Sequence, residues 1–278
     1  MQHFPILYED DQLLVIDKPN GIVVNRAQTV KDSTIQDWMD EQYEIQKKEV
    51  KVDEVNFKER SGIVHRIDKE TSGCLILAKN PESFFVLQSF FKERKVHKEY
   101  VALVHGKLVP ESGIINAPIG RLPWNREQFG VVPGGKEAVT RYKVKQHFCV
   151  ILATPPSSKS KDRRGRPEST TYSDSGVASQ RLAPQNDKNA VYTLVKLFPE
   201  TGRTHQLRVH LKYLGFPIVG DYLYAGRKLQ RDDRTWCPRV FLHAAKIEFP
   251  HPVTKQIISV TSPLPQELEQ VLTKLQLC

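Results

Sequence analysis

The sequence predicts an α+β fold in which a largely antiparallel sheet is combined with interspersed helices. Apolar and polar residues alternate over 139–148 and 191–198, as they do in half-buried strands. Over 265–277 the apolar residues recur at helical spacing behind Pro265, a residue type favoured at helix starts. Strands and helices do not alternate regularly, which argues against a doubly wound parallel sheet. We expect one domain over 1–278, whose 39% hydrophobic residues suffice for a single core.

The N-terminal part of the chain predicts strands followed by a helix. Residues 6–24 read as three short apolar strands separated by two turns rich in Asp, Asn and Gly. Ser33 is expected to cap a helix over 35–43, because the large apolar residues there fall on one helical face. Residues 47–60 are mostly charged and are expected to form a surface loop.

The remaining elements follow from similar patterns. Residues 74–80 predict a short buried strand, and Pro81 then begins a helix whose phenylalanines are expected to pack in the core. The apolar run 99–106 predicts another strand, and 204–215 predicts a helix that ends at Gly215. Further strands are expected over 240–249 and 257–264.

One segment has a different composition from the rest. Residues 155–189 are rich in Ser, Pro, Lys and Arg and contain almost no large apolar residues. Such a segment cannot bury enough surface to offset the entropy lost on ordering, so we expect a disordered basic insertion between two paired strands. Its centre, 157–166, carries five basic residues and one acidic residue, which is compatible with phosphate contacts and equally with a solvated loop.

The overall charge and the cysteine pattern narrow the class of protein. A formal net charge of +9 and a pI near 9.3 favour a polyanionic partner such as nucleic acid. The chain shows neither a secretory signal nor an apolar stretch long enough to span a bilayer, so we expect a soluble cytoplasmic protein without membrane contact. The four cysteines lie far apart and predict reduced thiols rather than a zinc cluster or a disulfide framework: Cys74, Cys149, Cys237 and Cys278.

The first candidate site is the polar segment HRIDKETSG (65–73), which directly precedes a predicted buried strand. Loops held on a rigid sheet often carry catalytic groups. Asp68 is suited to act as a nucleophile or general base, and Arg66 to hold a phosphate or replace an extruded base. Composition alone favours a structural turn, in which Asp68 caps backbone amides and Arg66 is a surface charge.

The second candidate site is ETGRTHQLRVH (200–210). On a helix, Thr204 and Arg208 lie on one face, and an inward-facing Arg208 needs a carboxylate partner because an unpaired buried charge is costly. Asp68 is the natural candidate, and the ion pair would keep that carboxylate ionised. His205 and His210 are five residues apart, which does not match the spacing of helical zinc ligands, so no metal site is predicted.

The third element is the strand that begins near Tyr100. A tyrosine there normally packs in a half-buried sheet, but it would stack on a base if its ring faced Asp68. The sequence contains no phosphate-binding P-loop, no dinucleotide-binding glycine motif and no GxSxG nucleophile elbow, so nucleotide hydrolysis, cofactor redox chemistry and hydrolase chemistry are unsupported.

Taken in order, these segments resemble the RluA-type pseudouridine synthase family. HRIDKETSG is similar to its HRLDxxTSG signature, with Ile67 replacing leucine, and HKEYVALVHG (97–106) is similar to its KxYxAxVxG strand. Residues 202–224 match its GRTHQIRVHLxxLGxPIxGDxxY segment almost throughout. Weaker similarities occur over 8–24, 118–127 and 242–256. The resemblance implies a mixed, largely antiparallel central sheet flanked by helices, with an RNA-binding cleft.

The resemblance also implies roles for individual residues. Asp68 corresponds to the invariant aspartate that attacks or deprotonates the target uridine nucleotide. Arg66 corresponds to the arginine that enters the base stack as the uridine flips out. Tyr100 corresponds to the tyrosine that stacks on the flipped uracil and is a candidate for moving the C5 proton. Arg208 corresponds to the basic partner of the aspartate. Further RNA contacts are expected from His65, Thr71, Arg203, Thr204, His205 and Gln206.

The predicted function is therefore the isomerisation of uridines in ribosomal or transfer RNA, by a monomer that needs no cofactor and no metal. A non-catalytic RNA-binding or ribosome-assembly protein on the same scaffold is the alternative. The joint presence of Asp68, Arg66, Tyr100 and Arg208 argues against it, because a binding module needs no ionised aspartate in its cleft. Many relatives carry an N-terminal S4-like domain, and we expect none here because the chain begins with the catalytic region.

Overall fold

The fold of the computed structural model is organised around one ten-stranded mixed sheet, and the structure describes residues 3–47, 51, 55–151 and 189–278. Strands β1 to β12 span Ile6–Glu9, Leu13–Lys18, Ser72–Ala78, His97–His105, Ser112–Asn116, Ile119–Leu122, Asn125–Val131, Val139–Ile151, Asn189–Pro199, Leu242–Pro250, Ile257–Thr261 and Gln276–Leu277. Helices α1 to α6 span Ile35–Tyr43, Val55–Glu59, Pro81–Lys92, Gln206–Tyr213, Arg227–Asp233 and Gln266–Thr273, and a short 3-10 helix covers Ile45–Lys47.

The sheet order is β1-β2-β3-β10-β4-β9-β8-β12, with β11 paired to β10 and β5 paired to β8. Strands β3 and β10 pair in parallel, whereas the other pairs in the described part of the chain are antiparallel. Strands β6 and β7 form a separate hairpin. The predicted α+β fold with a mixed, largely antiparallel sheet and flanking helices is confirmed.

Two apolar cores lie side by side along this sheet. The first packs α1 and α3 against β2 and β3, and the second packs α4 and α6 against β4 and β9. The side chain of Tyr100 on β4 contacts both cores. A residue at that junction lies where the two packed halves meet, which is a favourable place for a cleft.

Local sequence explains where the predicted helices begin. Thr34, and not the expected Ser33, caps α1, because its hydroxyl accepts the Asp37 N–H while the Asp37 carboxylate accepts the Thr34 N–H. Asn80 caps α3 by accepting the Ser83 N–H, and Pro81 occupies the first helical position as predicted.

Two predictions about the first sixty residues are wrong. The structure has two strands, not three, within 6–24, because residues 19–24 form an irregular turn in which Gly21 has φ 86°. Part of the expected loop over 47–60 is the helix α2, which forms because Phe57 buries its ring in the first core. The charged neighbours of Phe57 obscured that single apolar anchor in the sequence.

The prediction of four reduced thiols is also wrong. Cys149 and Cys278 form a disulfide, with 5.4 Å between their Cα atoms, whereas Cys74 and Cys237 are free and buried. The pairing arises because the short strand β12 lies against β8 and brings the last residue beside Cys149. A contact between residues 129 positions apart leaves no local signal in the sequence.

Strands β8 and β9 pair over most of their length, as expected for the strands that flank residues 155–189. Residues 155–188 of the predicted disordered insertion lie outside the described residues, and its last residue, Asn189, begins β9. No helix in the described ranges is both long enough and apolar enough to cross a bilayer.

Gly73 is required where the parallel strands β3 and β10 meet. It has φ 111°, and a Cβ atom there would lie 2.3 Å from the Ala244 carbonyl oxygen and 2.8 Å from the Ala244 nitrogen. Both contacts are with backbone, which cannot rotate away as a side chain can. The last glycine of the TSG segment therefore permits the close approach that joins the two halves of the sheet.

We expect Gly73→Ala to lower the free energy of unfolding by roughly 2–3 kcal/mol, because strain and overpacking add. Urea denaturation measures the change. Gly134→Ala is the matched control, since Gly134 also has positive φ, at 74°, but a Cβ there meets nothing within 4 Å. It should cost about 1–2 kcal/mol. Equal losses in the two variants would contradict the steric explanation.

Candidate active site

A cavity of about 530 Å³ opens at the junction of the two cores. Its wall combines the loop before β3, the start of β4, the end of α3 and the segment between β9 and α4. Eight of the ten predicted site residues line it, seven of them being His65, Arg66, Asp68, Thr71, Arg203, Thr204 and Gln206. Tyr100 also lines the cavity, whereas Arg208 and His205 do not.

The loop that carries Asp68 is held by its own backbone. The Asp68 carbonyl accepts the Thr71 N–H at 3.1 Å, and the Lys69 carbonyl accepts the Gly21 N–H at 2.8 Å. The loop is thereby joined to the turn that follows β2. Asp68 retains 18% exposure of its side chain, which is turned into the cavity rather than into the packed core.

A buried arginine supports the same loop from behind. Arg239 donates to the Glu70 carbonyl at 3.3 Å and to the Ser72 hydroxyl at 2.7 Å. It also forms a 2.6 Å ion pair with Glu267, the second residue of α6. Ser72 continues the network with a 2.9 Å hydrogen bond to Nδ1 of His243 on β10. The loop that carries Asp68 is therefore tied to both strands of the parallel pair.

Arg208 lies beneath Asp68, with only 2% of its side chain exposed. The distance from its Nη1 to Oδ2 of Asp68 is 3.9 Å, so the predicted proximity of the two groups is present. However, Asp68 is the most distant of the three carboxylates around the guanidinium. Asp221 binds the guanidinium through two hydrogen bonds of 2.7 and 2.8 Å, and Glu70 lies 3.2 Å from Nη1.

Asp221 takes the role of main partner because it is fully buried beside the guanidinium. One of its oxygens also accepts the N–H groups of Leu223 and Tyr224. Although burial alone would lower the pKa of Arg208, the hydrogen bonds to Asp221 and the nearby carboxylates raise it. The guanidinium is thus a permanent positive charge under the Asp68 carboxylate.

Lys18 is a second buried cation near Asp68. Its ammonium donates to the carbonyls of Pro19, Ile22 and Lys69, at 2.8, 2.9 and 3.3 Å. Burial lowers the pKa of Lys18 to about 7, while the charges of Asp68 and Glu70 act in the opposite direction. The lysine therefore joins the β2 turn to the Asp68 loop and adds positive potential there.

Tyr100 forms the aromatic side of the cavity. Burial, and then the neighbouring Asp68 charge, raise the pKa of Tyr100 above its ordinary value, so the phenol keeps its proton at neutral pH. The ring thus shares the cavity with Asp68, which is the arrangement that the stacking hypothesis requires.

The β6–β7 hairpin is anchored to the N-terminal end of α4. Tyr224 hydrogen-bonds Nδ1 of His205 at 2.8 Å and accepts the Phe129 N–H at 3.1 Å. The Arg208 guanidinium lies 5.1 Å from the centroid of the Tyr224 ring. Burial, above all, lowers the pKa of His205. His205 therefore connects the hairpin to the Arg208 cluster and does not face the cavity.

Two further residues that were predicted to contact RNA, Gln206 and His65, have side chains that hydrogen-bond to other groups of the protein. Gln206 accepts from the Thr201 hydroxyl and the Arg203 N–H, and its amide donates to Val139 and Thr140, so its side chain positions the segment before α4. His65 accepts the Ile76 N–H at 2.9 Å and stacks on Phe91 with ring centroids 4.5 Å apart. Burial lowers the pKa of His65 to about 3, so the ring is neutral.

The other predicted contacts are placed differently. Arg66 is exposed at the cavity, and its guanidinium has no hydrogen-bond or ion-pair partner among the described residues. Arg203 is exposed and donates to the Glu137 carbonyl at 2.9 Å. Thr71 is buried and Thr204 is half-buried at the wall. Arg66, Arg203 and Thr204 are therefore accessible to a ligand in the cavity.

Four residues that surround the site were not predicted from the sequence: Lys18, Glu70, Asp221 and Tyr224. Asp221 and Tyr224 lie within the long matched segment 202–224, but nothing in their spacing links them to Arg208. For Lys18, a cation at the end of the apolar run 13–16 was the available signal. Glu70 lies in the same loop as Asp68, where its charge was visible but its direction was not.

The chemistry available in this cavity follows from its charges. The Asp68 side chain lines the open volume, with the Arg208 guanidinium 3.9 Å from its carboxylate and the Lys18 ammonium at its loop. A protonated phenol faces the same volume, and exposed arginines lie at its edge. The arrangement suits a polyanionic substrate with an aromatic group that enters the cavity.

Comparisons with known proteins give consistent results. A sequence model of the family described as RNA pseudouridylate synthase matches residues 12–213. The chain is 34% identical over 280 residues to the ribosomal large subunit pseudouridine synthase D of Buchnera aphidicola, covering 97% of this chain and 73% of that protein. It is 33% identical to the enzyme of the same name from Pseudomonas aeruginosa, covering 98% of this chain and 71% of that protein.

The fold is also similar to that of a solved human structure. The protein described as Human RNA Pseudouridylate Synthase Domain Containing 1 superposes with a TM-score of 0.62 at 24% sequence identity. The match covers 98% of this chain and 94% of the human chain. At this level of identity the comparison concerns the fold alone.

Proposed function

The chain belongs to the RNA pseudouridylate synthase family and isomerises uridine to pseudouridine in RNA, and from this premise we propose that Asp68 is the catalytic carboxylate and large-subunit ribosomal RNA the substrate. The single observation that carries the proposal for Asp68 is its position. Its carboxylate faces the cavity, 3.9 Å from a guanidinium that is fixed from behind by Asp221.

The reaction explains why such a carboxylate is needed. The bond between N1 and C1′ of the uridine breaks, the uracil turns, and C5 bonds to C1′. The C5 proton is lost and N1 gains a proton, so the atoms and electrons balance without an oxidant or a reductant. An anionic oxygen that acts at the sugar or at the pyrimidine ring can start this sequence. We propose that Asp68 supplies that oxygen and that no cofactor takes part.

The target nucleotide must leave its base stack before it can reach Asp68, at a cost of a few kcal/mol. We assign Arg66 to the space that the base leaves, because its guanidinium is exposed at the cavity mouth and has no partner in the described part of the chain. We assign Tyr100 to the flipped uracil. Base–aromatic stacking is worth roughly 1–3 kcal/mol, which would offset part of the cost of flipping.

Arg208 and its partners act through Asp68 rather than on the RNA. Arg208 is buried and does not line the cavity, so it is a positioning residue. Its interactions hold the carboxylate over a fixed positive charge before the substrate arrives. Such preorganisation is a main source of enzymatic rate enhancement. We also propose that the protein works in the cytoplasm as a monomer.

Ribosomal RNA is chosen over transfer RNA because both relatives described above carry the large ribosomal subunit in their names. We expect specific uridines of large-subunit ribosomal RNA to lack pseudouridine in cells without this protein and to regain it with the wild-type gene. Chemical mapping of pseudouridine in ribosomal and transfer RNA from the same cells measures this. An Asp68→Asn gene is the control and should restore nothing. A change confined to transfer RNA would contradict the proposed substrate.

A further inference from the structure

Lys98 lies on β4 two residues before Tyr100 and lines the same cavity. Side chains on a strand alternate between faces, so residues 98 and 100 point to one side. A step of two residues covers about 7 Å, and it leads from Tyr100 towards the end of α3. Lys98 therefore lies on the cavity wall between Tyr100 and the cationic Lys92 at the end of α3.

The ammonium of Lys98 has no hydrogen-bond or ion-pair partner among the described residues. Burial lowers the pKa of Lys98 to about 8, and no carboxylate in the part of the chain that the structure describes opposes that effect. The lysine differs in this respect from Lys18, whose ammonium has three carbonyl partners. A half-buried cation without a counter-charge is unfavourable unless a ligand supplies the missing partner.

The groups around Lys98 are mainly cationic or neutral. His65 is uncharged, and the positive charge of Lys98 helps to keep it so. The surrounding elements supply the following charged groups at the cavity: Arg66 and Asp68 from the loop, Lys92 from the end of α3, Arg94 from the turn that follows it, and Glu200 and Arg203 from the segment after β9. This end of the cavity therefore favours an anionic ligand over a cationic one.

We propose that Lys98 binds a non-bridging phosphate oxygen of the RNA strand beside the flipped uridine. The proposal rests on the proposed function, because it takes Tyr100 as the surface on which uracil stacks. A uracil stacked on Tyr100 would leave its sugar and phosphate beside the remaining cavity wall, which Lys98, Arg66 and Arg203 also line. The negative charge of the phosphate pairs with the Lys98 ammonium, which has no ion-pair partner among the described residues. Lys98 thereby helps to select nucleotides that carry a backbone phosphate.

The test uses RNA binding by the full chain in the Asp68→Asn background, so that the uridine stays unchanged. We expect Lys98→Met to weaken RNA affinity about tenfold or more, as for loss of a charge-assisted hydrogen bond. The dependence of log affinity on log salt should become shallower by about 0.7, which is the value for one phosphate of a single strand. Lys98→Arg should retain most of the affinity.

The pH dependence provides a readout that a merely structural lysine would not give. Lys98 loses its proton as the pH rises through about 8, so wild-type affinity should fall about fourfold between pH 6.5 and 8.5. Lys98→Arg should show no such decline, because arginine stays charged. Lys107→Met is the matched control, since Lys107 is exposed beyond the far end of β4, and it should leave affinity and salt dependence unchanged.

Unchanged affinity and salt dependence in Lys98→Met would overturn the proposal. With Asp68 restored, a reduced rate of pseudouridine formation in Lys98→Met, together with unchanged RNA affinity, would also overturn it, because the ammonium would then act on the uracil and not on the phosphate. If Lys98→Met does not fold, the comparison of pH profiles between wild type and Lys98→Arg decides. Failure of the proposed function is a separate result, in which the wild-type protein forms no pseudouridine in ribosomal RNA.

Discussion

Replacing Asp68 with asparagine is expected to lower the rate of pseudouridine formation at least about a thousandfold, with little change in RNA affinity. Asparagine has almost the same shape as aspartate, so the loop and its hydrogen bonds should persist. It has no anionic oxygen, however, and cannot attack the sugar or the ring. Tritium release from RNA that contains 5-tritiated uridine, measured under single-turnover conditions, reports the rate directly.

Glu70→Gln is the matched control for this experiment. Glu70 belongs to the same loop and lies 3.2 Å from Arg208, nearer than Asp68, but it does not line the cavity. Its loss removes a similar charge from the cluster without removing the proposed catalytic oxygen. We expect the rate to fall by less than about tenfold, as for a partly exposed ion pair. Comparable losses in the two variants would assign the effect to cluster charge and refute the specific role of Asp68.

The sequence predicted the parts of the site that lie within continuous motifs. The loop with Asp68, the strand with Tyr100 and the helix with Arg208 were each visible as local patterns, and the need of a buried arginine for a carboxylate brought Arg208 and Asp68 together. Sequence periodicity does not show which carboxylate pairs most closely with Arg208. Asp68, Glu70 and Asp221 all surround the guanidinium, and their order depends on side-chain directions set by the tertiary fold.

The same limit explains the errors in the fold. Helix α2 depends on one buried phenylalanine within a charged segment, and β12 exists because the C-terminus pairs with β8. Both elements are stabilised by contacts with distant residues, so local propensity gives little indication of them. His65 and Gln206 were predicted as RNA contacts from their place in the motifs. In the structure, their side chains hydrogen-bond to backbone groups of Ile76 and Val139, a role that their position in a motif does not reveal.

Asp221→Asn is expected to lower the free energy of unfolding by about 3–5 kcal/mol, which is the range for removing one partner of a buried ion pair. Asp221 is fully buried and binds both Nε and Nη2 of Arg208. Without its charge the guanidinium keeps only Glu70 at 3.2 Å and Asp68 at 3.9 Å, both of them partly exposed. Urea denaturation with an unchanged m-value measures the loss. Glu137→Gln, which breaks the exposed pair with Arg94, should cost less than about 1 kcal/mol.

A double variant separates the structural role of this pair from its role at the site. Removing both charges, in Arg208→Met with Asp221→Leu, should recover much of the stability that either single change loses, because no unpaired buried charge remains. Pseudouridine formation should not recover, since Asp68 then lacks the fixed cation beneath it. Recovery of both properties would mean that Arg208 only fills space. Recovery of neither would mean that the hydrogen bonds from Asp221 to Leu223 and Tyr224 are what the fold requires.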